Sequence, residues 1–152
     1  MTDARVEAPA WWSTDEWATP QEEVDRFEQE FGVFALDPCA TASNARGEAY
    51  YDQEMNGLAQ AWFGRVWLNM PYSDPGPWLQ KAVQEWQAGR VELIVACLPA
   101  ATDTAWFHDW VLPYAELRFR RGRIRFLDWT GRPRGTPKAG TIYAVYRRKD
   151  LP

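Results

Sequence analysis

Gly64-Arg65-Val66-Trp67-Leu68-Asn69-Met70-Pro71-Tyr72-Ser73 is the stretch that decides the fold. Its apolar run is too short for a helix and ends in a polar side chain and a proline turn. That is the pattern of a buried strand over 65–69 whose carboxyl end opens into a loop. Two other segments share the design: 33–37, ending in Asp37 and Pro38, and 91–98, ending at Pro99. Between the second and third strands, Trp78, Leu79, Ala82, Val83 and Trp86 make one apolar helical face over 77–88, closed by Gly89.

Ahead of the first strand, Thr19-Pro20-Gln21-Glu22 offers an N-cap residue, a proline at the first helical position and a capping-box glutamate. Val24, Phe27 and Phe31 follow at helical spacing and Gly32 stops the run, which predicts a helix over 20–31. Trp106, Phe107 and Trp110 predict another over 102–112. Alternating strands and helices predict an α/β fold with a mostly parallel sheet, where ligands gather at the carboxyl ends of strands. The C-terminal third changes character: 115–119, 123–129 and 141–146 read as strands separated by glycine turns, an antiparallel edge to that sheet.

A chain of 152 residues suits one domain over 11–152, preceded by a flexible N-terminal tail over 1–10 that lacks periodicity. No apolar run approaches the length that crosses a bilayer, and no basic segment leads into an apolar stretch at the start. A cytoplasmic protein with no membrane partner is the expectation. Cys39 and Cys97 lie far apart beside apparent strands and read as thiols in a reducing compartment, with neither a disulfide nor a metal site expected.

The net charge of −4 hides an asymmetry: from Arg118 onward eleven Lys and Arg face only Asp128 and Asp150, so that part carries +9 and the remainder −13. A basic surface on an acidic body suits nucleic-acid phosphates, with Arg121, Arg123, Arg125, Arg132, Arg134 and Lys138 as candidate contacts; solvated strand faces are the competing reading.

Beyond composition, several blocks follow one another in a recognisable order: Trp17-Ala18-Thr19-Pro20, Leu36-Asp37-Pro38-Cys39-Ala40 with Asn44, Tyr50-Tyr51, Asn56-Gly57-Leu58, the decisive stretch itself, Thr102-Asp103-Thr104-Ala105-Trp106-Phe107 and Gly122-Arg123-Ile124-Arg125-Phe126. In these the chain resembles the Dam-like DNA adenine-N6 methyltransferase family of phages and prophages. The resemblance implies a minimal Rossmann-like fold, S-adenosylmethionine as methyl donor, DNA as partner and a phage- or prophage-encoded enzyme at work in a bacterial host cell. It implies that Asn69-Met70-Pro71-Tyr72 is the catalytic motif. An exocyclic amine is a poor nucleophile because its lone pair is delocalised into the ring. In the family the Asn side-chain oxygen and a backbone carbonyl accept its hydrogens, and the Tyr ring stacks on the flipped base.

For the cofactor the resemblance nominates Thr19 and Pro20 against the methionine part, and Asp37, Pro38 and Cys39 in the first cofactor loop. Helix capping by Thr19 and turn capping by Asp37 are the structural alternatives. Asp52, Glu54 and Asn44 are candidates for the ribose hydroxyls. Asp103 either lines the pocket or caps a helix, Trp106 and Phe107 read as core, and His108 as incidental. Met70 departs from the family's usual proline, which bears on the acceptor: RNA adenine, cytosine-N4 and protein glutamine are the alternatives, as is a catalytically silent DNA-binding relative. Without room for a recognition domain, loops must read the bases, so the target site should be short, read by one copy or by a homodimer.

Overall fold

A computed structural model describes residues 18–135 and 137–148. The tail expected over 1–10, Trp17, Lys149 and Asp150 lie outside the described residues. Helix α1 covers Gln21–Phe31 and α2 covers Gly76–Gln87, each within one residue of the sequence reading. The strands are β1 (Leu36–Asp37), β2 (Ala49–Tyr50), β3 (Gly64–Leu68), β4 (Val91–Pro99), β5 (Glu116–Phe119), β6 (Phe126–Leu127), β7 (Pro133–Gly135) and β8 (Thr141–Arg147).

Six strands form the main sheet in the order β2-β1-β3-β4-β8-β5. The pairs β1–β2, β1–β3 and β3–β4 are parallel, and β8 runs antiparallel to both neighbours. From β1 the chain steps outward to β2 and returns to the opposite side of β1 as β3. The crevice between the carboxyl ends of β1 and β3 is therefore a topological switch point, where open α/β sheets bind ligands.

Successive residues point to opposite faces, and the sequence fills both. On one face Val66, Leu68, Ile94, Ala96, Leu98, Ile142, Ala144 and Tyr146 pack against α2. On the other, Trp67, Val95, Cys97, Tyr143 and Val145 pack against Val24 and Phe27 of α1. Trp67 is fully buried, with its ring centroid 5.9 Å from Phe27, 5.5 Å from Phe34 and 6.2 Å from Tyr143.

Several expectations need correction. The run 123–129 yields only Phe126–Leu127, which leaves the main sheet and pairs with Pro133–Gly135; Ile124 and Phe126 are instead pulled into the core on the α1 face. The expected helix over 102–112 contracts to a π-helical turn, Phe107–Val111. The antiparallel C-terminal edge is present as expected, formed by β8 and β5: the first six residues of β8 are all buried, as an inner strand requires, and the half-exposed β5 is outermost. The run 33–37 keeps only Leu36–Asp37 as a strand, and β2 occupies the connection in which no strand was expected. Thr19 does not cap α1. The N-cap position falls on Pro20 without any side-chain cap bond, so the capping-box reading of Glu22 falls with it.

Candidate active site

Asp37 ends β1, and Asn69 follows directly after β3. Asp37 is 3% exposed, and its two oxygens accept the backbone N–H groups of Cys39 at 3.3 Å and Arg46 at 3.0 Å. One carboxylate thus folds the whole 38–46 loop back on the strand end. Asn44 tightens the same loop by accepting the Thr41 N–H at 2.7 Å. Gly57 holds the next loop against it: a Cβ there would collide with the Pro38 carbonyl oxygen.

Arg46 reaches out of this loop to the segment before α1. Its Nε and Nη2 donate to the Thr19 carbonyl at 3.0 and 2.8 Å. Thr19, Asp37, Cys39, Asn44, Arg46, Trp67, Asn69 and Pro71 consequently line one narrow polar slot, with about 20 Å³ of free space. Cys39 and Pro71 also line an adjoining hollow of about 180 Å³ with Tyr51, Asp52 and Trp78. Asp52 and Gln53 carry that hollow on into a cavity of about 610 Å³ beside Tyr50 and Glu54. Slot and hollows make one trench across the switch point. Of the ribose candidates, Asp52 and Glu54 stand at the wide end, and Asn44 at the narrow one.

Within the tetrapeptide Asn69-Met70-Pro71-Tyr72 the positions separate by burial. Asn69 shares a strand face with Trp67 and enters the slot. Met70 is 2% exposed and packs into the core on the α2 face, so an apolar side chain other than proline is accommodated there by packing. The half-buried Tyr72 is fixed at both ends: its hydroxyl donates to the Cys97 carbonyl at 3.3 Å, and its ring stands perpendicular to Phe126 at 6.0 Å. Burial first, and then the neighbouring Cys97 thiol, hold the Tyr72 phenol well above its ordinary range. Burial likewise pushes the Cys97 thiol up to about 12. Both groups stay protonated at neutral pH, so neither is a base.

The basic candidates gather on one excursion, the β5–β8 connection. Arg121, Arg123, Arg125, Arg132 and Lys138 are exposed there and Arg134 is half-buried. Its β6 strand is stitched to Ala18 by two backbone hydrogen bonds of 3.3 and 2.9 Å, and Phe126 leans on Tyr72, which brings this part of the excursion beside the site; Arg121 instead borders a separate hollow with Glu23, Arg26 and Arg118. Other arginines of the basic third are internally neutralised: Arg118 by Glu30 and Glu116, Arg147 by Glu116, Arg120 by the buried Glu23. Asp103 occupies an exposed turn after β4, outside the slot. Phe107 is core, Trp106 is half-buried against the core, and the His108 ring lies 2.7 Å from the Thr102 carbonyl in a local turn. Sequence reasoning missed Arg46 and the indole of Trp67. A lone cation in the loop after the first strand was the one available signal for Arg46.

The family model described as "DNA N-6-adenine-methyltransferase (Dam)" matches residues 10–149. A DNA N-6-adenine-methyltransferase of Escherichia phage T1 is 37% identical over 99 residues, covering 62% of this chain and 40% of that protein. One from Haemophilus phage HP1 (strain HP1c1) is 32% identical over 117 residues, covering 75% of this chain and 67% of that protein. The matched region thus spans well under half the length of the phage T1 relative. Among solved structures, the 23S rRNA methyltransferase ErmE superposes with a TM-score of 0.50 over 89% of this chain and 71% of that one, at 10% identity. That likeness shows the Rossmann-like methyltransferase fold.

Proposed function

Since this chain belongs to the DNA N-6-adenine-methyltransferase (Dam) family, we propose that it transfers the methyl group of S-adenosylmethionine to N6 of an adenine flipped out of DNA. The observation that carries this reading is the meeting of two features at one strand end: Asn69 in the slot and Tyr72 fixed beside it.

The trench suits the cofactor's three parts. The charged methionine tail belongs in the polar slot among Thr19, Pro20, Asp37 and Arg46. The nucleoside belongs in the wide end past Pro38 and Cys39, with Asp52, two residues beyond β2, the best-placed acid for the ribose hydroxyls. Asp52 Oδ1 accepts the Met55 N–H at 2.8 Å, which leaves its second oxygen for a ligand. The slot as it stands is narrower than a methionine tail, so Arg46 or Asn44 must swing aside on binding. When bound, the sulfonium supplies an activated methyl group.

The chain's own residues then act on the acceptor. Asn69 offers its side-chain oxygen to one hydrogen of the adenine amine, and a carbonyl of the 69–71 turn takes the other. The nitrogen lone pair is thereby released from the ring for in-line attack. The bound sulfonium would supply the methyl group to that nitrogen, keeping the S–CH3 electron pair on sulfur, and the surplus amine proton would leave to solvent. Tyr72, protonated and held by Cys97 and Phe126, is a stacking surface for the flipped base. Arg121, Arg123, Arg125, Arg132, Arg134 and Lys138 hold phosphates nearby. The reaction takes place in the cytoplasm of a bacterial host, where the phage relatives' DNA substrate is found.

Offering tritiated S-adenosylmethionine with duplex DNA, single-stranded DNA, RNA and protein tests the acceptor. Label is expected in DNA adenine, and label confined to RNA or protein would overturn the reading.

A further inference from the structure

β5 ends the main sheet, and its outer edge is open. The Arg120 N–H donates to the Thr141 carbonyl at 3.1 Å, which turns the Arg120 backbone toward β8; with a period of two, the backbones of Glu116 and Arg118 turn the same way. The N–H and C=O groups of Leu117 and Phe119 therefore point away from the sheet, and none of them is hydrogen-bonded among the described residues. Phe119 is also 74% exposed, the most open large apolar side chain among those residues. An edge like this recruits another strand unless a proline, a bulge or free charge blocks it. β5 has neither proline nor bulge, and its charges are engaged within the chain: Arg118 with Glu30 and Glu116, and Glu116 also with Arg147.

The sequence of the edge decides what fits it. Read antiparallel against itself about Arg118, Glu116-Leu117-Arg118-Phe119-Arg120 sets Leu117 opposite Phe119 and Glu116 opposite Arg120. Apolar then meets apolar on the α2 face and acid meets base on the α1 face, and cross-strand pairs of both kinds stabilise a sheet. Arg118 meets its own copy at the axis, but each is already neutralised by Glu30 and Glu116 and lies over the Phe31 ring, 5.4 Å away. The two neighbouring registers fail. Were Leu117 to face itself, Phe119 would need the Ala115 N–H, which already bonds to the Val111 carbonyl at 2.9 Å. Were Phe119 to face itself, Arg118 would lie opposite Arg120. We propose that β5 is a homodimer interface, pairing edge to edge with β5 of a second copy in the register centred on Arg118, so that the two main sheets run on as one. This contact is isologous and closes on itself. Antiparallel pairing reverses the second sheet, so the strand ends that carry Asn69 face opposite ways. Each copy then reads its own short target, and a dimer holds two duplex segments instead of sharing one. That last consequence rests on the reading of Asn69 as the methylating site; the association does not.

Sedimentation of the full chain should show a monomer–dimer equilibrium in the micromolar range, since the contact is short. Phe119→Pro removes an outward N–H without touching the β8 ladder, and Phe119→Lys places a charge on the edge. Each should weaken the dimer about tenfold or more, with the circular dichroism of the parent because the side chain is exposed. If Phe119→Pro does not fold, Phe119→Lys carries the test. Crosslinking reads the register, with Cys39 replaced by Ser so that the buried Cys97 is the one native thiol left. Arg118→Cys meets itself across the axis at a Cα separation of about 4.5 Å and should give a disulfide-linked dimer on mild oxidation. Phe119→Cys, which does not face itself, should crosslink far more slowly. A parent that stays monomeric overturns the inference, whether the edge is bare or taken by another segment of chain. A dimer that survives both Phe119 substitutions overturns it too, and Phe119→Cys crosslinking as fast as Arg118→Cys overturns the register. None of these readouts uses turnover: a monomeric parent leaves the methyltransferase reading standing, and a dimer that methylates nothing leaves the interface standing.

Discussion

Arg118, Arg120 and Arg147 belong to the same basic third of the sequence as Arg121, Arg123, Arg125, Arg132 and Lys138, yet the two sets sit in opposite environments. The first set is spent inward. Arg120 donates from Nε to Glu23 at 2.7 Å and from Nη1 to the carbonyls of Arg121 and Gly122 at 3.0 and 3.1 Å. Tyr143 donates its hydroxyl to the other Glu23 oxygen at 2.7 Å. Glu23 is 4% exposed, so this network has the character of a buried polar core beneath the start of the β5–β8 connection. The second set is exposed, and none of it forms an ion pair with another described residue. Charge counted along the sequence therefore overstates what is available to a partner: one set fixes the excursion in place, and only the other stays exposed. Arg46 is a third kind: half-buried, it makes no ion pair with another described residue and donates instead to the Thr19 carbonyl.

The difference between the sets can be broken at either end. Replacing Glu23 by Gln leaves Arg120 without its counter-charge in a buried setting. It should cost about 3 kcal/mol of stability by urea unfolding, in line with breaking buried pairs. The double variant Arg123→Ala, Arg125→Ala should leave stability within about 0.5 kcal/mol. It should reduce DNA affinity and lower the salt slope by about 2, one unit for each lost phosphate contact. A flat salt response in the parent chain would place these arginines away from DNA.

A smaller effect follows from titration. Burial alone would raise the Glu23 carboxyl, but the hydrogen bonds from Arg120 and Tyr143 outweigh it and hold the carboxyl below its ordinary range. A carboxyl lowered in the folded state contributes stability above its unfolded value, near 4.3, and loses it as pH falls through the lowered folded value. The stability gap between the parent and Glu23→Gln should therefore narrow on acidification below about pH 4.5. A gap unchanged down to pH 3 would contradict it. The smallest effect concerns the thiols. Cys97, buried with its thiol pushed up to about 12, should resist a thiol reagent in the native protein, while the half-buried Cys39 reacts and is slowed by cofactor. Reaction of both at the same rate would place Cys97 outside the core.

Much of this is legible in the sequence. The two helices and the strand preceding Asn69 follow from apolar spacing and from Gly32 and Gly89, both at positive φ. Sheet order was not legible: nothing local in 141–146 says that it inserts between β4 and β5, because that depends on which strand has both faces covered. The brevity of β1, β2 and β6 was hidden for a similar reason, since a two-residue strand has no periodicity to detect. In the site, Asn69 and Tyr72 were legible as a motif and Asp37 as a strand-ending acid. Arg46 was not, because its meaning comes from the Thr19 carbonyl, 27 residues earlier in the chain. Met70, the position at which the motif departs from its family, proves to be a core residue.

Nucleosides from the DNA of adenine-methylation-deficient bacterial cells expressing the chain provide the most direct measurement. Mass spectrometry should find N6-methyladenine with the parent chain and none with Asn69→Ala, even though the variant binds S-adenosylhomocysteine and DNA as the parent does. Folded parent protein that leaves no N6-methyladenine, or equal methylation by Asn69→Ala, would contradict the assignment of Asn69 and Tyr72 as the adenine-methylating site.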